Sequence, residues 1–325
     1  MLGDDLLTVG NLKVYYNTES GVIGAVDGVN LVIKPKQKVG LVGESGCGTS
    51  TLARAIIRLL PPVAEIVDGS MIFKGKDLAR IPEKEVRKIR GREISMIFQD
   101  PMSFLNPVMK IGDQIAEVIS HRRADRRKAY ERGLELLEKV GIPRSRNLME
   151  DYPHQLSGGL RQRVLLALAV SSDPSLLIAD EATTAVDATV QAQILELISE
   201  LAGNMGSSVL LITHDLGIVA QTCDEVYVMY AGRVAEHANV RTIFRSPKHP
   251  YTQALMASAL SVEEYKEELM GVPGEVPNLV NPPPGCRFHP RCSFAMQVCR
   301  EREPVMTDLD FNHEVYCWKC VEGVA

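Results

Sequence analysis

Lys38-Val-Gly-Leu-Val-Gly-Glu-Ser-Gly-Cys-Gly-Thr-Ser-Thr51 is the stretch on which the fold turns. Val39, Leu41 and Val42 predict a short buried strand, and Gly43-Glu-Ser-Gly-Cys-Gly48 predicts a turn. A helical run over 51–60 follows and is stopped by Pro61 and Pro62. Strand, glycine-rich loop and helix in this order form a phosphate-binding loop of the pattern G-x-x-x-x-G-K-[ST]. Its glycines let successive backbone N–H groups turn inward onto phosphate oxygens, and the helix N-terminus adds the positive end of a dipole. Ser50 stands where a hydroxyl ligates Mg²⁺, but Thr49 stands where the pattern has lysine. The alternative is a tight strand-to-helix turn that holds no ligand.

Other chemistry-bearing residues lie at the ends of further apolar runs. Ile94-Ser-Met-Ile-Phe98 reads as a strand ending on Gln99, whose amide oxygen could serve a metal or a water, and Pro101 stops it. Ser175-Leu-Leu-Ile-Ala179 ends in Asp180 and Glu181. A carboxylate at a strand end suits Mg²⁺ through its water shell, and the next can orient a water, although paired carboxylates also cap helices. Ser208-Val-Leu-Leu-Ile-Thr213 delivers His214 at its C-terminal end, the edge where ligands of open parallel sheets collect. Ser157-Gly158-Gly159 opens an apolar helix and is either a second anion site or an ordinary serine N-cap.

Around these pieces, Leu6–Tyr16 and Ala25–Lys34 alternate apolar residues with turn residues at 17–24 between them, which predicts an antiparallel hairpin. Tyr16 could stack on a base or simply pack. Gly69–Lys76 reads as another strand and residues 82–91 as a charged helix. From about 106 to 153 the period becomes helical, with Ile111, Ile115, Val118 and Ile119 on one face and Leu134, Leu136, Leu137 and Val140 on another.

The composition bounds the function. A chain of 325 residues with 45% apolar content is long enough for more than one domain. No apolar run reaches the roughly 20 residues that span a bilayer, and Met-Leu-Gly-Asp-Asp at the start is acidic rather than signal-like, so a chain that stays inside the cell is expected. A net charge of -5 and a single Trp argue against nucleic acid as a partner. The basic run from His121 to Arg132 reads as a solvated helix face rather than a phosphate patch.

In this order the pieces resemble an ATP-binding-cassette (ABC) ATPase. Gly43 to Thr51 (Gly43, Ser45, Gly46, Cys47, Gly48, Thr49, Ser50, Thr51) resembles its Walker A loop and Gln99 its Q-loop. Leu156-Ser-Gly-Gly-Leu-Arg-Gln162 resembles its signature, Asp180-Glu181 its Walker B with the water-orienting glutamate, and Ala185-Val-Asp187 its D-loop. His214 resembles the switch histidine, and Tyr16 falls where the family places an adenine-stacking aromatic. The resemblance covers about residues 5–258 and implies an α/β P-loop NTPase core with an antiparallel β subdomain and a helical insert over about 104–168. It also implies ATP and Mg²⁺ as ligands and a head-to-tail dimer, in which each ATP lies between one chain's Walker A and the other chain's signature.

Phe98-Gln-Asp-Pro-Met-Ser-Phe-Leu-Asn-Pro107, Ser246-Pro-Lys-His-Pro-Tyr-Thr252 and Pro277 to Cys292 resemble the oligopeptide/dipeptide importer ATPases. That branch implies a second ABC ATPase subunit as heterodimer partner, two transmembrane permease subunits, an extracytoplasmic substrate-binding protein and a peripheral place on the cytoplasmic face of the membrane. Relatives carry oligosaccharides or nickel. The chain departs from the pattern at Thr49, at Ala182 for proline and at Val186 for leucine. Only Thr49 changes the chemistry, since threonine brings no charge to the β- and γ-phosphates. A nucleotide-binding, hydrolysis-poor regulatory subunit is the alternative.

Residues 259–325 are expected to form a small Cys-rich C-terminal extension beyond a cassette at 1–258. Five of seven cysteines crowd the last 40 residues: Cys286, Cys292, Cys299, Cys317 and Cys320. Without an export signal, clustered thiols point to a metal rather than to disulfides. The branch implies a [4Fe–4S] cluster on Cys286, Cys292, Cys299 and Cys317 that staples a Pro-rich segment, with zinc or free thiols as alternatives. Cys47 and Cys223 are expected to pack.

Overall fold

A computed structural model describes residues 5–98, 104–120, 125–182, 188–263, 272, 274–309, 312–321 and 323. Two compact bodies make up the chain: Met1–Pro82 with Leu211–Ala325, and Glu83–Leu210.

The first body opens with β1 (Leu7–Thr18), β2 (Gly21–Ile33), β3 (Lys38–Val42), α1 (Thr49–Ile56), β4 (Ala64–Phe73) and β5 (Lys76–Asp77). The expected hairpin is present but longer and tighter, because Thr18 pairs with Gly21 and only Glu19 and Ser20 remain for the turn. β4 and β5 extend it to an antiparallel sheet of order β2-β1-β4-β5. α1 starts two residues earlier than its apolar pattern and ends at Ile56 rather than near Leu60. Arg58 is the cause: it turns left-handed (φ +52), and Leu59 N bonds back to Arg54 O at 2.9 Å.

The second body holds α2 (Glu83–Ile89), β6 (Ile94–Ile97), α3 (Ile111–Ser120), α4 (Arg126–Lys139), α5 (Ser145–Glu150), α6 (Gly158–Val170), β7 (Leu176–Asp180), α7 (Ala188–Met205) and most of β8 (Ser208–Ile212). β6 and β7 pair in parallel from Ile94↔Leu176 to Ile97↔Ala179, and β7 is buried throughout, as an unbroken apolar run in a parallel sheet should be. Ile111, Ile115 and Ile119 are buried in the helical part, whereas Val118 is 41% exposed and leaves that face. Arg126, Arg127 and Arg132 lie on the acidic neighbours Asp113, Glu131 and Glu135, as a solvated helix face does.

Back in the first body follow α8 (Leu216–Thr222), β9 (Glu225–Tyr230), β10 (Arg233–Asn239), α9 (Val240–Arg245), α10 (Pro250–Glu263), α11 (Gln297–Glu301), β11 (Thr307–Leu309) and β12 (His313–Val315). β3 pairs in parallel with β9, from Val39↔Glu225 to Val42↔Val228. β9 turns back into β10 through Ala231 and Gly232, both at positive φ (+48 and +85), which is the geometry of a tight hairpin. β12 then adds antiparallel to β10, pairing Glu236 with Val315. Thr307–Leu309 and His313–Val315 are therefore sheet-bound, which the cysteine spacing does not reveal.

Candidate functional site

In the first body the glycine-rich loop runs from the end of β3 to the start of α1. It is pressed so close to its neighbours that two positions cannot carry a side chain. A Cβ on Gly43 would lie 2.3 Å from the Met229 carbonyl oxygen, and one on Gly48 2.1 Å from that of Ala25. Gly48 also needs its φ of +103 to start the helix. Cys47 N donates to Glu44 O at 3.0 Å, and Gly232 N donates to Cys47 O at 2.8 Å. Cys47 and Cys223 are both buried thiols, and burial pushes each pKa up. Ser45 and Gly46 are exposed.

Thr49 opens α1 with Ser50 and Thr51 behind it, and its hydroxyl lies 3.9 Å from the Cys47 thiol. The Tyr16 hydroxyl meets the Thr51 hydroxyl at 3.2 Å, which places this strand aromatic beside the loop. Thr213 N donates to Leu41 O at 3.4 Å, so His214 leaves β8 where the loop leaves β3. His214 is exposed, and the next residue, Asp215, caps α8 through Ile218 N.

Glu44 is the loop residue that sequence reasoning missed. Its carboxylate accepts both Arg291 Nη atoms, at 2.7 and 2.9 Å, and its N–H donates to the Tyr251 hydroxyl at 2.9 Å. The Arg291 side chain is 4% exposed and lies over the Tyr230 and Phe288 rings. The fork to Glu44 holds its pKa above the usual arginine value. The available signal was an acidic residue inside an anion-binding loop, which calls for a fixed cation nearby.

In the second body β7 delivers Asp180, 1% exposed, and the chain then turns at Glu181 with φ +45. This left-handed conformation costs about 1–2 kcal/mol for a residue with a Cβ and marks an over-determined position. Gln162 helps to determine it: its Nε2 donates to the Ala182 carbonyl, and its Oε1 is buried with no partner among the described residues. Ser157 is a true N-cap, accepting from Leu160 N at 3.4 Å, while buried Leu156 anchors the turn. The cap leaves Ser157 and Gly158 exposed, with Gly159 behind them. Gln99 and the D-loop residues Ala185 to Asp187 lie outside the described residues.

Comparison with known proteins fits this arrangement. Residues 26–184 match the family described as ABC transporter, and residues 235–299 match the oligopeptide/dipeptide transporter C-terminal region. The probable peptide ABC transporter ATP-binding protein y4tR of Sinorhizobium fredii is 48% identical over 99% of this chain and 97% of its own length. The chain belongs to the oligopeptide/dipeptide branch of the ABC transporter ATPases. Dipeptide transport ATP-binding protein DppD of Bacillus subtilis is 46% identical over 97% of this chain and 95% of its own length. Among solved structures, the ABC cassette MJ0796 bound to ADP and Pi superposes with a TM-score of 0.65 at 26% identity, covering 72% of this chain and 99% of that one.

ATP and Mg²⁺ are consistent with an ABC ATPase, and each body carries groups of suitable chemistry. In the first body the glycine-rich loop is of the kind that receives phosphate, and Ser50 of that body, like Asp180 of the second, carries a hard oxygen of the kind Mg²⁺ prefers.

The cysteine expectation needs correction. Cys286, Cys292, Cys299 and Cys317 do border one cavity, together with Phe294 and Trp318, but its volume is about 10 Å³, room for about one water. Burial pushes the Cys286 thiol up to about 11, and a hydrogen bond to Cys320 raises Cys317. All seven cysteines are free, and among the described residues no group of three or more His, Cys, Asp or Glu is placed to hold a metal. As they stand, these thiols do not fit a [4Fe–4S] cluster or zinc. The lobe is stapled by polar contacts instead. Fully buried Glu236 accepts from Lys248 N at 2.7 Å and His249 N at 3.0 Å, and it meets His313 of β12 at 2.6 Å.

Proposed function

We propose that this subunit binds ATP·Mg²⁺ and powers the import of di- and oligopeptides. It works with a second ABC ATPase, two membrane permease subunits and an extracytoplasmic binding protein. The observation that carries the reading is the Arg291–Glu44 fork. Through it the lobe matched to peptide transporters is built into the phosphate loop. The relatives named for dipeptide and oligopeptide transport support the cargo class.

In this reading Tyr16 stacks on adenine, and the loop from Gly43 to Thr51 holds the phosphates. Ser50 and Asp180 serve Mg²⁺, with Gln99 at the same ion. Glu181 orients the attacking water, and His214 holds it toward the γ-phosphate. Ser157 and Gly158, exposed to solvent, close with Gly159 on the nucleotide of the partner ATPase. Thr49 leaves this chain's own loop without the lysine charge, so a heterodimer runs mainly on the site built from the partner's Walker A and this chain's signature.

Glu181→Gln tests the assignment in the assembled transporter, with ATP saturating. Removing the group that positions water should slow single-turnover hydrolysis at this chain's loop by about 10²–10⁴-fold while ATP still binds. An unchanged rate sinks it. Stimulation of ATPase activity by the peptide-loaded binding protein tests the cargo, and no stimulation by any peptide overturns that part.

One observation keeps a metal reading for the lobe: four cysteines border a single cavity. Binding there demands that the thiols lose their protons and the lobe widen. Iron and sulfide analysis of anaerobically purified chain decides it. About four of each per chain supports a cluster, and none rules it out.

A further inference from the structure

A second cavity in the first body, of about 440 Å³, lies between β2, β10 and the C-terminal lobe, and none of residues 43–51 lines it. Its volume is in the range that small-molecule sites occupy. Asp27 sits on its wall, 11% exposed, accepting from Arg233 Nη2 at 2.8 Å, from Arg287 and from the Tyr15 hydroxyl at 3.0 Å. Arg233 also pairs with Glu303. Its Nε is shielded from solvent and bonds to nothing among the described residues. Lys13, also on the wall, is drawn to Asp68 at 3.4 Å, outside the cavity. The rim is apolar and open, with Val305 55% and Met306 47% exposed.

The charges decide the class of ligand. Two guanidiniums (Arg233, Arg287) face two carboxylates (Asp27, Glu303), so the paired wall sums to zero. A simple anion drawn to the part-exposed Arg233 guanidinium would pull it from Glu303 and leave a carboxylate unpaired. A ligand that also carries an ammonium replaces what it takes. We infer that this cavity binds a small zwitterion with an apolar side chain, of the class of free amino acids and dipeptides. Its carboxylate lies on Arg233 and Arg287, its ammonium on Glu303, and its side chain against Val305 and Met306. The inference stands on this cavity alone and goes beyond the nucleotide site.

Calorimetric titration of the full chain with the dipeptide Leu-Leu tests it. Saturable binding is expected, with acetyl-Leu-Leu, Leu-Leu amide and octanoate each at least about tenfold weaker, since each lacks a charged hydrogen-bonding end. Val305→Trp, a rim change at an exposed position, should abolish the heat of Leu-Leu while ATP binding stays unchanged. Arg233→Gln should weaken Leu-Leu at least about tenfold. Absence of heat at millimolar Leu-Leu, equal affinity for octanoate, or undiminished binding in Val305→Trp overturns the proposal. Loss of ATP binding in every form of the chain would sink the nucleotide reading and leave this one standing.

Discussion

Thr49 concentrates the chemistry of the chain in one side chain. The loop backbone is held in one shape: Gly43 and Gly48 admit no Cβ, and the bond from Gly232 N to Cys47 O pins its middle. In the proposed reading the backbone supplies the donors, and the part Thr49 leaves out is the lysine charge. A lysine ammonium on the β- and γ-phosphates makes charge-assisted hydrogen bonds worth about 1.5–3 kcal/mol. Thr49→Lys should then tighten ATP·Mg²⁺ binding to the isolated chain by about ten- to a hundredfold. Equal affinities of the two forms would show that Thr49 is already compensated. The loop was legible in the sequence because glycine spacing reports backbone conformation directly. Glu44 was not, since its partner Arg291 is distant in sequence and no local pattern links them. The Gln162–Ala182 contact escaped for the same reason.

Among the elements, those with a clear apolar period were foreseen: β3, β7, β8 and the helices α2, α3, α4 and α6, whereas α7 went unread. Their ends were less legible, because capping and turn geometry set them. α1 stops at a left-handed Arg58 that donates to Ile81 O at 2.7 Å, a tertiary contact. The β9–β10 hairpin went unread, and so did the strands of the lobe, since β11 and β12 are three residues each, too short for any period. Next to the Glu236 contacts that hold β12 stands the turn at His249. This imidazole is buried, accepts from Tyr251 N at 3.0 Å, and burial lowers its pKa to about 4. An unfolded histidine titrates near 6.5, so below that pH the unfolded chain binds the extra proton and stability falls until about pH 4. The loss should reach about 2 kcal/mol at pH 5. His237 acts in the opposite sense: burial alone would lower it, but Glu225 and Glu314 hold it up, which favours the folded state at low pH. The measurement is therefore urea unfolding of wild type against His249→Asn. The wild type should lose more stability than the variant between about pH 7 and pH 5, and parallel slopes would refute the buried neutral histidine.

At the scale of the whole chain, no helix among the described residues is long and apolar enough to cross a membrane. What composition could not show is how the C-terminal region is used. Cysteine spacing drew attention to a metal, whereas the contacts that tie the region down come from its arginines and from Glu236. Arg287 bonds to Asp27 of β2, and Arg291 to Glu44 of the loop. The Glu44 fork has an electrostatic consequence. A carboxylate in a loop meant for a polyphosphate is a like charge at close range, and this loop has no lysine to offset it. Arg291 supplies the missing counterion from elsewhere in the chain. Cutting away the C-terminal region would thus turn the mouth of the loop into a repulsive surface, and nucleotide affinity of such a fragment would rise with added salt as the Debye length shrinks.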